Sequence, residues 1–98
     1  MILEHALLVV REDVAEDFEA AMSDALGIIT LAPGCHAAEV RRQIEDPRTY
    51  LLMVTWDSVA HHEAFRASGA YETWRVLTHP WYETTPAVTH FDEPLART

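Results

Sequence analysis

A single cysteine, Cys35, excludes an internal disulfide, a paired-cysteine zinc site and a CxxC redox centre. Lysine is absent: the 7 basic residues are all arginine, against 16 Asp and Glu. The resulting net charge of -9 repels the phosphate backbone that supplies most nucleic-acid affinity. Nucleic acids and anionic membranes are therefore poor partners. No apolar run approaches the ~20 residues needed to span a bilayer, and residues 1–10 lack a basic leader region, so the expected location is the cytoplasm. Glycine is scarce too. Gly27, Gly34 and Gly69 stand apart, which leaves no phosphate-cradling loop and no indication of a nucleotide cofactor. What is present is ordinary globular material, 49% hydrophobic over 98 residues, enough for one core but not two. Residues 1–98 are expected to form a single domain.

Residues 1–10 (MILEHALLVV) read as a strand interrupted only by Glu4 and His5. Asp13 followed by Glu16 resembles a capping box, and Val14, Phe18, Met22, Ala25 and Ile29 then recur at helical spacing up to Pro33-Gly34. Residues 35–44 alternate weakly as a second strand. Glu45-Asp46-Pro47-Arg48 is turn chemistry, and residues 49–56 (TYLLMVTW) form a third strand. Asp57 or Ser58 can cap a helix running to about Ser68, where Gly69 breaks it before a further turn or two to Thr78. Residues 86–91 (PAVTHF) read as a last strand.

The order β-α-β-β-α-β predicts an α+β, ferredoxin-like fold with an antiparallel sheet and helices on one face. The third strand is apolar on both faces, with Tyr50, Leu52, Val54 and Trp56 opposite Leu51 and Met53. The first shows Leu3, Leu7 and Val9 opposite Ile2, Ala6, Leu8 and Val10. Helices cover only one of these faces, so a second copy of the chain is expected on the other, making a homodimer.

With this order, Pro33-Gly34-Cys35 after the first helix, Trp56-Asp57-Ser58 at the strand-to-helix junction, and Phe65, Ser68, Tyr71 and Trp74 downstream, the chain resembles the antibiotic biosynthesis monooxygenase domain family over nearly its whole length. The resemblance implies a dimeric α+β barrel with a pocket between sheet and helices, and its members range from oxygenases without metal or flavin to haem-degrading enzymes. Trp56 matches an aromatic of the oxygenase pocket, and His62 stands where a tyrosine can stand. Leu52 replaces a polar amide that can assist oxygen chemistry. In haem-degrading relatives an amide-bearing residue acts near His5, a tryptophan falls near Phe65 and the proximal histidine falls near Arg75. None of the three is retained, and an arginine cannot ligate haem iron, so haem degradation is not implied unless His79 takes that role.

His62 is the leading candidate base, since imidazole titrates near neutrality. Its helical neighbours Val59, Phe65 and Arg66 place it at a boundary, where the alternative is a plain helix-surface histidine. His61 points about 100° away. His62-Glu63 is followed by Arg66 at the i+4 position, so the HExxH zinc pattern fails. His5 shares a face with Leu3, Leu7 and Val9 and is the second candidate base. Trp56, Phe65, Tyr71, Trp74, His79 and Trp81 are the candidate substrate-binding residues, and the last two, with Tyr82 and His90, read alternatively as a lid over the sheet edge. Cys35 reads as a small buried thiol. The sequence points to a cofactor-independent, monooxygenase-like homodimer acting on a planar phenolic or quinone-like molecule, with no flavin, haem or metal. The alternative is a non-catalytic ligand-binding or assembly module of the same fold.

Overall fold

The computed structural model describes all residues, Met1–Thr98. The elements are β1 (Ile2–Val9), α1 (Ala15–Ile29), β2 (Cys35–Arg42), β3 (Thr49–Trp56), α2 (Val59–Arg66), α3 (Gly69–Thr78), a 3-10 turn (His79–Trp81) and β4 (Val88–Phe91). The strands make one sheet in the order β2-β3-β1-β4, antiparallel throughout. The register sets Glu4 opposite Val54, Ala6 opposite Leu52 and Leu8 opposite Tyr50. Because side chains alternate with period two, these residues share one face, and α1 lays Phe18, Met22, Ala25 and Ile29 into the same core. No helix is long and apolar enough to cross a membrane.

Four boundaries differ from the sequence reading. Asp13 adopts a left-handed φ of 61°, so it cannot serve as the extended N-cap of α1; Val14 takes that place without a side-chain hydrogen bond. The second helical region divides at Ser68 rather than Gly69. The Ser68 hydroxyl donates to the Phe65 carbonyl at 2.6 Å and accepts from the Tyr71 amide, closing α2 and opening α3 with one side chain. β2 ends at Arg42, leaving Ile44 exposed beyond it, and β4 starts at Val88. Gly34 is required where it stands. Its φ is +83°, and a Cβ there would lie 2.4 Å from His61 Cδ2, so only glycine lets the loop pass under α2.

The opposite face of the sheet carries no helix. Leu3, His5, Leu7 and Val9 of β1 and Leu51, Met53 and Thr55 of β3 are only partly covered, with Leu7 49% and Phe91 52% exposed. The doubly apolar pattern of β1 and β3 thus corresponds to a core face and a bare apolar face.

Candidate functional site

A cavity of about 110 Å³ lies on the helix side of the sheet, between β1, β3 and the two short helices. Its floor includes Glu4, Ala6 and Leu8, and its walls include His62, Phe65, Tyr71 and Trp74. α2 delivers His62 because Ser58 caps its first turn, accepting from the His61 amide, and the 3.6-residue period then turns His62 and Phe65 inward together.

Glu4 and His62 are each 4% exposed, polar groups sunk in an apolar core. The Trp56 indole donates to Glu4 Oε1 at 2.9 Å, and His62 Nε2 lies 3.2 Å from the same oxygen. On its other side His62 Nδ1 meets His90 Nε2 at 2.8 Å. His90 reaches this point because β4 pairs with β1 so that Glu4 and His90 are direct cross-strand partners. Trp56 stacks on the His62 ring at 5.2 Å with a 20° interplanar angle, which fixes the imidazole plane.

Burial sets the electrostatics. Desolvation raises the Glu4 pKa above its ordinary 4.5, opposed in part by the Trp56 hydrogen bond and the Arg66 charge. Desolvation, with His90 and Arg66 adding positive charge nearby, pushes His62 down to about 4, so its imidazole is neutral at pH 7. A carboxylate 3.2 Å from Nε2 favours the tautomer with the proton there, which leaves Nδ1 to accept from His90. The site is therefore a directed chain, Trp56 and His62 facing Glu4, with His90 behind His62. No three His, Cys, Asp or Glu side chains converge in a way that could hold a metal ion.

The model of the antibiotic biosynthesis monooxygenase family matches residues 1–77, a span that includes Glu4, Trp56 and His62. The chain belongs to this family. It is 34% identical over 94 residues to the uncharacterized protein YczJ of Bacillus subtilis, covering 95% of this chain and 99% of that one. Among solved structures, a candidate antibiotic biosynthesis monooxygenase from Bordetella bronchiseptica superposes with a TM-score of 0.91 at 35% identity, over 96% of this chain and 97% of its own. A mutant of SnoaB, a cofactor-independent oxygenase from Streptomyces nogalater, shares the fold with a TM-score of 0.83 at 12% identity, over 97% and 94% of the two chains.

Within this family fold, the structure places His62, Phe65, Tyr71, Trp74 and His79 in the wall of one cavity. Trp56 stands behind His62 rather than in the wall. Trp81 lies apart from the cavity, donating its indole N–H to the Leu77 carbonyl at 3.0 Å. His5 lies on the face of Leu3, Leu7 and Val9, as its alternation predicted: the pleat that turns Glu4 into the core turns His5 onto the bare face, against Phe91 at 5.5 Å. It cannot share a pocket with His62. Glu4 was not among the candidate residues, and the contact of His90 with His62 was not foreseen. Glu4 had a signal, as the lone carboxylate among the core-facing Ile2, Ala6, Leu8 and Val10 of one stripe. His90 was legible only as part of the aromatic cluster after the second helix, because its place beside His62 comes from strand pairing across the length of the chain.

Proposed function

We propose that this family member is a cofactor-independent monooxygenase acting on a planar phenolic or quinone-like molecule, and that it works as a homodimer joined through the bare sheet face. The observation that carries the reading is a buried carboxylate and neutral imidazole set together in an aromatic-walled cavity. Such a site can take the proton from a ring hydroxyl and exclude water from the anion that results. The phenolate ring carbon para to the oxygen then binds O2, and the stored proton completes a hydroperoxide. Loss of that carbon's hydrogen with hydroxide, as water, leaves a quinone. One atom of O2 stays in the product and the other leaves as water, so the electrons balance without a cofactor. Leu52, an apolar wall residue where the resemblance gives an amide, favours the second reading, a ligand-binding module without turnover.

O2 uptake distinguishes the two. With no flavin, haem or metal added, the wild type is expected to consume O2 with at least one member of a panel of phenols, naphthols, catechols and anthrones, and not without substrate. His61→Ala should retain this uptake, because His61 turns away from the cavity and bonds Ser58 Oγ through Nδ1 at 2.8 Å. A panel that is bound but never oxidised would leave the binding-module reading.

A further inference from the structure

We infer that Glu4 Oε2 is the acceptor for the ligand's hydroxyl, and that the ligand is a single-ring phenol bound with its proton still in place. The inference rests on the cavity being a phenol site, and it names the group that meets the hydroxyl. Both His62 nitrogens are already committed, Nε2 towards Glu4 at 3.2 Å and Nδ1 to His90 at 2.8 Å, so His62 has no lone pair left for a ligand. Glu4 differs. Its Oε1 takes the Trp56 and His62 contacts, whereas Oε2 has no protein hydrogen bond and belongs to a residue in the cavity floor. A carboxylate oxygen can only accept, so it selects a ligand that brings its own proton.

Size and charge narrow the class. An apolar cavity of about 150 Å³ accommodates benzene, so about 110 Å³ leaves room for no more than a single ring. Phe65, Tyr71 and Trp74 offer aromatic surfaces to it. An ionised phenolate or a benzoate brings no hydroxyl proton and so cannot donate to Glu4 Oε2. A quinone has a carbonyl where the phenol had its hydroxyl, so the oxidised product loses this hydrogen bond and its release is favoured. His62 is on this account a positioning residue, which holds the carboxylate and couples it to His90.

Phenol and its methyl ether, anisole, isolate the hydroxyl proton. Calorimetric titration under anaerobic conditions is expected to show wild-type protein binding phenol about tenfold or more tighter than anisole, the scale of a hydrogen bond to a charged group. In Glu4→Gln the oxygen remains for Trp56 and His62 while an amide N–H2, a donor, replaces Oε2, so the preference should fall to within about twofold. Infrared spectroscopy on the wild type needs no variant: a carboxylate stretching band should shift with phenol and stay put with anisole. A preference that survives in Glu4→Gln, equal wild-type affinities, an unmoved carboxylate band, or no binding of phenol would each overturn the assignment. Phenol preference without O2 consumption would keep it and remove the oxygenase reading; O2 consumption with an unchanged preference in Glu4→Gln would do the reverse.

Discussion

Leu52→Asp is expected to unfold the protein, whereas Met53→Asp, one residue along, is expected to leave a folded chain that no longer self-associates. Leu52 is 3% exposed and sits between Ala6 and Val40 on the helix side of the sheet. An aspartate there is an unpaired charge in an apolar core, costing several kcal/mol against the ~5–15 kcal/mol that keep a domain of this kind folded. Met53 lies between His5 and Glu39 on the bare face, where an isolated chain leaves an aspartate in water. In a dimer closed through that face the same carboxylate is buried twice over, once per copy. Sedimentation velocity with far-ultraviolet circular dichroism checks both variants. An intact Met53→Asp dimer, or a wild type that sediments as an 11.1 kDa monomer at micromolar concentration, would contradict the proposed interface.

His62→Ala is expected to lower turnover by about 10²- to 10⁴-fold, the range between misplacing a base and losing it. The variant leaves Glu4 without its neighbour and His90 without its acceptor. His62→Gln can still direct an N–H at Glu4, so it should recover much of the loss if the imidazole positions the carboxylate. Equal defects in the two would make the imidazole itself the base. Stability against pH gives a second readout. His62 is lowered from 6.5 to about 4, so as pH falls through this window the unfolded chain binds a proton that the native chain refuses. The stability contributed by the neutral ring is complete above pH 6.5 and is lost on the way down to about 4, by up to about 3 kcal/mol. Glu4 has the opposite sign: its pKa is raised, so its contribution is full below 4.5 and is lost as pH rises through the folded value. Comparing wild type with His62→Gln isolates the histidine, and the gap in favour of the wild type should narrow on acidification.

The element order and the α1 stripe were legible in the sequence because both are periodic patterns, and the two-sided apolarity of β1 and β3 marked a face beyond the helices' reach. Local rules failed where one residue's backbone overrode its side chain, as at Asp13, or where one hydroxyl did two jobs, as at Ser68. The roughly 100° between His61 and His62 was readable from helix geometry and separates a ring held by Ser58 from one buried beside Glu4. Which histidine of β1 and α2 shares a pocket was not readable until the face of β1 was known. Glu4 and His90 are distant in the sequence and opposite each other in the sheet, so the site is a product of strand pairing rather than of a motif.

Reaction of O2 at this cavity without a cofactor is tested by turnover of a consumed phenol under 18O2, with protein freed of metal by chelation. One 18O atom is expected in each quinone formed and the other in water, with His62→Ala yielding little labelled product. Quinone oxygen drawn from solvent water, or oxidation that vanishes with the chelated metal, would contradict it.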